Sequence, residues 1–245
     1  MRNFKLTLQY DGLRYKGWQS QKDEDNTIQT KIETLLSRLL EEEIEVIGAG
    51  RTDAGVHARA MVCNFKSRTR LSKEQLLTKI REYLPHDIGA ISLEVVPDKF
   101  HSRFSARGKT YKYRIWTSDN PCVFERNYVY RFTEPLDLAQ MKKAAEYLCG
   151  EHDFTAFTTN KHMKKSAVRN VDRIDFETTE NEIIISFHAN GFLYNMVRIM
   201  TGTLIEVGTG KKVPEDIPKI FESKVRENAG YTAPAHGLIL YEIEY

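Results

Sequence analysis

Asp53 is the residue in this sequence best placed to do chemistry. It lies in Gly50-Arg51-Thr52-Asp53-Ala54-Gly55-Val56-His57, a carboxylate between two glycines with Arg51 shortly before it and His57 shortly after. Glycine allows tight turns and close backbone approach, and an ionised carboxylate beside a fixed guanidinium is a candidate nucleophile, general base or electrostatic anchor. As turn chemistry alone, the same octet is simply a loop. Arg198 falls on the flank of a helical apolar stripe, with Tyr194, Asn195 and Thr201. It is either an exposed surface residue or a fork-shaped partner for a carboxylate. Gly202 follows one turn on, and since glycine inside a helix costs roughly 1 kcal/mol, a close neighbour is expected there. Tyr111 shares a strand face with Tyr113 and Ile115, which suits a core position. Arg107, Lys109, Lys112 and Arg114 flank it, and a ring among cations also suits the stacking of a nucleobase.

These residues need elements to hold them. Phe4, Leu6, Leu8 and Tyr10 alternate with Lys5, Thr7 and Gln9 as a half-buried strand. Ile28, Ile32, Leu35, Leu36, Leu39 and Leu40 follow helical spacing. Val46 and Ile47 lead into the octet, and Met61, Cys63 and Phe65 leave it, each as a strand. Ser72 and Gln75 form a capping box for a helix that Pro85 stops, and Ile88 to Val96 is a further strand. Beyond residue 105 the plan repeats. Tyr111 to Ile115 is a strand, Asp137 caps a helix that Gly150 ends, and Ile183 to Phe187 is a strand. Leu193, Val197, Met200, Leu204 and Val207 make a helix stripe, and Gly237 to Tyr245 is a closing strand. The pattern predicts an α+β fold. Two similar halves, residues 1–105 and 106–245, would share a largely antiparallel sheet with helices packed on it and a cleft where they meet. The first half carries the Asp53 loop, the second Tyr111 and Arg198.

Composition narrows the classes. The 245 residues are 41% hydrophobic and 29% charged, as in soluble globular chains, and no apolar run reaches the length of a bilayer span. Met1-Arg2-Asn3-Phe4 runs straight into a strand, so no signal peptide is expected. Cys63, Cys122 and Cys149 are odd in number and far apart, which predicts reduced thiols in a cytoplasmic protein. The histidines at 57, 86, 101, 152, 162, 188 and 236 show no metal-ligand spacing, so no metal is assigned. Gly48-Ala49-Gly50 departs from the dinucleotide fingerprint, because Asp53 takes the third glycine's place. Val207 to Lys212 lacks the upstream glycine and the Ser/Thr of a phosphate loop. Net charge is only +2, yet the cations cluster. Arg103, Arg107, Lys109, Lys112 and Arg114 form one group. Lys161, Lys164, Lys165, Arg169 and Arg173 form another, and Arg51, Arg59, Lys66, Arg68 and Arg70 a third. On one face they would attract a polyanion such as nucleic acid; on separate faces they are solvated surface.

Taken together, these segments resemble the bacterial tRNA pseudouridine synthases of the TruA type. The resemblance runs from Tyr10 to Leu240. It includes Tyr10-Asp11-Gly12, Gly17-Trp18-Gln19, the octet, Arg103-Phe104-Ser105-Ala106 and Tyr111-Lys112-Tyr113. It continues through His152-Asp153-Phe154, Met196-Val197-Arg198, Gly202, Val207-Gly208, Thr232-Ala233-Pro234-Ala235 and Gly237-Leu238. It implies conversion of uridine to pseudouridine at positions 38 to 40 in the anticodon arm of tRNA, by a homodimer with no cofactor. It further implies that Asp53 is the catalytic aspartate, Tyr111 the base-stacking tyrosine, Arg198 the arginine paired with the aspartate and Arg51 an arginine near the flipped nucleotide. Arg51 or His57 would fill the space that nucleotide leaves. Two other readings stay open on the residues alone. A non-catalytic RNA-binding module explains the cations and tyrosines but not a carboxylate inside a basic loop. A carboxylate-nucleophile hydrolase would need a second acid or a metal, and neither is near Asp53 in sequence.

Overall fold

The computed structural model describes residues 1–160, 163 and 165–245; Lys161, His162 and Lys164, counted among the cations and histidines above, lie outside the described residues. The chain forms two compact units, Met1–Arg107 with Ile239–Tyr245, and Gly108–Leu238.

The first unit starts with β1 (Arg2–Tyr10), α1 (Ile28–Leu40), β2 (Ile47–Gly48), β3 (His57–Ser67), α2 (Lys73–Tyr83) and β4 (Ile88–Val96). Strand alternation decides its core: Phe4, Leu6 and Leu8 are fully buried, whereas Lys5 and Thr7 are half-buried and Gln9 is exposed. β1 lies between two antiparallel partners, with Phe4 opposite Phe65 and Leu6 opposite Cys63 on β3, and Leu6 opposite Leu93 on β4. The Phe4 and Phe65 rings stack at 5.3 Å. Thr27 caps α1, which buries Ile28, Ile32 and Leu36. The Ser72–Gln75 capping box forms as the sequence predicts, and α2 buries Leu76 and Ile80. From the last turn of α2, Arg81 donates to the carbonyls of Ala90 (2.9 Å) and Ile91 (2.7 Å), occupying acceptors on β4 that another strand could otherwise pair with. A closing strand, Leu238–Glu244, returns to this unit and runs parallel to β3, with Ile239 opposite His57 and Leu240 opposite Ala58.

The second unit contains β5 (Gly108–Trp116), β6 (Tyr130–Arg131), α3 (Leu138–Leu148), β7 (Gly150–Asp153), β8 (Val168–Thr178), β9 (Glu182–Ala189), α4 (Met196–Gly208) and α5 (Asp216–Ser223); the closing strand is thus β10. β5, β9, β8 and β7 pair antiparallel in that order, so the expected α+β, largely antiparallel class holds in each unit. Asp137 caps α3 through the N–H groups of Ala139 and Gln140, and Gly150 leaves it at a φ of +103°. α4 begins at Met196 rather than Leu193 and buries nearly every residue, not one stripe. The reason is that the stretch before β10 covers it: a Cβ on Gly202 would meet the Tyr231 carbonyl oxygen at 1.9 Å, and one on Gly230 would meet Thr203 Cα at 2.5 Å. The close neighbour expected at Gly202 is therefore Tyr231.

Candidate active site

Asp53 sits, partly exposed, in the loop that joins β2 to β3. The turn that carries it closes by a hydrogen bond from Val56 N–H to the Asp53 carbonyl (3.1 Å), with Gly55 at a φ of +78° in the third position, where a type II turn requires glycine. Ala49 N–H donates to the Val62 carbonyl (2.8 Å), tying the start of the loop to β3. Thr52 is buried, and its Oγ1 lies 2.8 Å from the Tyr10 hydroxyl. The aspartate is thus presented by backbone that has little freedom to move.

Much of that restraint comes from the segment between β1 and α1. Trp18 N–H donates to the Thr52 carbonyl (3.0 Å), and Gly55 N–H to the Tyr15 carbonyl (3.4 Å). Gly17, at a φ of +95°, passes so close that a Cβ would lie 2.6 Å from the Thr52 carbonyl oxygen; at Gly12 it would lie 1.9 Å from the Val56 carbonyl oxygen. Trp18 is buried against Gly48, where a Cβ would meet the indole nitrogen at 2.4 Å. Tyr15 donates to Asp87 Oδ1 (2.6 Å), and burial together with that carboxylate pushes the phenol pKa up, so it stays a donor. The sequence carried a sign of this brace in Gly12, Gly17 and Trp18, but the backbone they abut is remote in the chain.

His57 is packed into the loop rather than turned out of it. It is 3% exposed, its Nδ1 accepts the Gly12 N–H (3.1 Å) and lies 3.1 Å from Asp11 Oδ1, and its backbone belongs to β3. The imidazole locks the end of β1 to the start of β3. Arg51, in contrast, is exposed, and its side chain has no acidic partner among the described residues.

Tyr111 and Arg198 belong to the second unit. Tyr111, on β5, is 7% exposed and meets Phe192 edge to face at 5.2 Å. Phe192 opens the short loop into α4, the helix of Arg198. Arg198 is half-buried rather than exposed, and its guanidinium is aimed by fixed acceptors: Nε donates to the Ala233 carbonyl (2.7 Å) and Nη1 to Asn195 Oδ1 (2.9 Å). Ala233 N–H returns a bond to the Arg198 carbonyl (3.1 Å), and Asn195, at a φ of +62°, is itself held by Thr159 (2.8 Å). His236 lies in the same covering stretch; burial, with Arg198 nearby, holds its pKa below the ordinary histidine value.

The cation clusters are partly neutralised. Lys112 pairs with Glu177 (3.1 Å), Arg114 with Glu182 and Glu125, Lys66 with Asp98 (2.6 Å) and Arg173 with Asp175 (3.4 Å). Arg51, Arg68, Arg70, Arg103 and Arg107 are exposed without an acidic partner among the described residues. The neutralisation falls mainly on the second unit: of the clustered cations in the first, Lys66 alone pairs with an acid among the described residues. Among the described residues no helix is long and apolar enough to cross a membrane.

Residues 7–105 and 144–245 match the family described as tRNA pseudouridine synthase. Over its full 245 residues the chain is 47% identical to the tRNA pseudouridine synthase A of Bacillus sp. (strain KSM-64), covering 100% of both. It is 45% identical to the tRNA pseudouridine synthase A 2 of Bacillus cereus (strain ZK / E33L), again over 100% of both chains. A chain in the crystal structure of a Cbf5-Nop10-Gar1 complex aligns with 82% of this chain and 54% of its own length, with a TM-score of 0.34 and 14% identity, too slight a likeness to carry an argument. The family match and the full-length relatives agree, and the chain belongs to the tRNA pseudouridine synthases.

Proposed function

We propose that this tRNA pseudouridine synthase isomerises uridines at positions 38 to 40 of the anticodon arm, with Asp53 as the nucleophile. The observation that carries the reading is a partly exposed carboxylate on a loop whose backbone is fixed from both sides, beside the exposed and unpaired Arg51. Pseudouridine is an isomer of uridine, so the reaction needs neither a redox partner nor a phosphate donor. The N1–C1′ bond breaks, the base turns while still held, C5 bonds to C1′, and C5 loses its proton while N1 ends protonated. Asp53 attacks either C6 of the uracil or C1′ of the sugar, and either attack requires the ionised carboxylate. In this reading Arg198 supplies the cation that favours that charged form, and Tyr111 the ring that keeps the detached uracil from leaving. The target base must leave its stack, at a cost of about a few kcal/mol. Arg51 occupies the space it vacates, and phosphate contacts from the unpaired cations offset the cost. The same resemblance implies a homodimer.

Asp53→Asn tests the assignment with almost no change of shape. Pseudouridine formation falls by about 10³-fold or more while tRNA binding persists; full turnover in the variant overturns the nucleophile. Mapping pseudouridines in bulk tRNA with and without the protein tests the substrate positions, and new modification confined to sites outside the anticodon arm overturns them.

A further inference from the structure

Phe104 is 74% exposed, although it lies in a turn that the fold anchors with unusual care. Ser102, two residues earlier, is fully buried: its N–H donates to Asn64 Oδ1 (2.8 Å), its hydroxyl donates to the Ile47 carbonyl, and its own carbonyl accepts the Tyr245 hydroxyl (2.9 Å). Asn64 is buried and bonded to Asn3 (3.1 Å), which in turn donates to the carbonyls of Pro97 (3.1 Å) and Phe100 (2.9 Å). Buried polar networks of this kind are stable only when each member is satisfied, and they rigidify what they hold. The turn itself is closed by Ser105 N–H to the His101 carbonyl (2.9 Å). His101 Nδ1 accepts the N–H groups of both Arg103 (3.2 Å) and Phe104 (3.3 Å). This fixes the imidazole beside the Phe104 ring, with centroids 4.2 Å apart and planes tilted by 32°.

The result is a rigid ring pair whose outer member faces solvent. Ile47, to which the turn is tied, is the first residue of β2, the strand that enters the Asp53 loop. Arg103, next to Phe104, is exposed without an acidic partner among the described residues, as are Arg51 and Arg107 in the same unit. A bare aromatic face next to an uncompensated guanidinium, that of Arg103, suits a nucleobase, because every base offers a π-face and every nucleotide a phosphate. We propose that His101 and Phe104 form a stacking platform for an unpaired tRNA base other than the one that reacts. The proposal rests on the tRNA substrate of the family and not on the role given to Asp53.

The test is a pair of substitutions at an exposed position, where folding is not at stake. Phe104→Leu keeps an apolar side chain but removes the π-face; it raises KM for tRNA about tenfold, with kcat at saturating tRNA and the melting temperature unchanged. Phe104→Trp restores the wild-type KM. Added tRNA quenches its new indole, read as the difference from the wild-type protein, whose Trp18 is buried and whose Trp116 is half-buried. An unchanged KM in Phe104→Leu overturns the proposal, as does an unquenched indole in Phe104→Trp. So does a change of oligomeric state in Phe104→Leu without a change of KM, which would make the ring a protein contact. Failure of the Asp53 assignment is distinguishable, since it appears as turnover retained in Asp53→Asn, whereas here the loss is confined to KM.

Discussion

At Gly17 the chain adopts a φ of +95° and runs within van der Waals distance of the Thr52 carbonyl. An alanine there meets two penalties, a left-handed backbone that L-residues avoid and a methyl group 2.6 Å from that oxygen. The strain falls on the Thr52–Asp53 backbone, because Trp18 and Tyr15 bond to the same loop. Gly17→Ala is expected to lower kcat for pseudouridine formation by about 10²-fold, the scale of a misplacement near 1 Å, with little change in KM for tRNA. Single-turnover assays under saturating tRNA check this, and an unaltered kcat means the brace does not position the carboxylate. The loop that carries Asp53 was legible, because glycines sit between two apolar runs that become β2 and β3. The brace was not, because glycine announces a close approach without naming what approaches.

The elements divide by how local their cause is. Ser72→Ala removes a cap made within four residues and is expected to cost about 1 kcal/mol with activity intact. Gly202→Ala drives a methyl group into the Tyr231 carbonyl at 1.9 Å and is expected to cost about 3 kcal/mol, with activity falling too as the covering stretch and its Ala233 contact to Arg198 shift. Urea unfolding midpoints of the two variants check the order, and equal losses contradict it. β1, α1, α2, β4 and α3 were readable from period and capping residues, since each buries one face. β8 was not read as a strand: its Val171 is buried, but most of its residues face solvent, so the alternation is faint. α5 escaped because it is short, buries only Ile217 and Ile220, and contains Pro218. α4 was read as an amphipathic helix with Arg198 on its flank. The covering stretch that buries the rest of it, and aims Arg198, comes from residues some thirty positions later.

Across the whole molecule, acid acts in two separate windows. His236 has a folded pKa held below its ordinary value of 6.5 by burial and by Arg198. The unfolded chain therefore binds its proton first, and stability falls as pH drops through the ordinary histidine range, until the folded form is protonated as well. His236→Gln should flatten that limb in thermal melts followed by pH; an identical limb in the variant removes His236 as its cause. The second window is lower. Lys224 and Thr155 hold the Asp153 carboxyl below its ordinary 3.8, so its contribution is present at neutral pH and is lost as pH falls through the folded pKa. Chain order adds a consequence of β10. Residues 1–107 leave the ribosome with β3 lacking its parallel neighbour at His57 and Ala58, and with Ser102 and Arg107 still waiting for Tyr245 and Glu244. All of Gly108–Leu238 must be translated before that neighbour exists. A nascent chain stalled anywhere in that interval therefore keeps the His57–Ala58 end of β3 unsealed, open to proteases and to other unpaired strands.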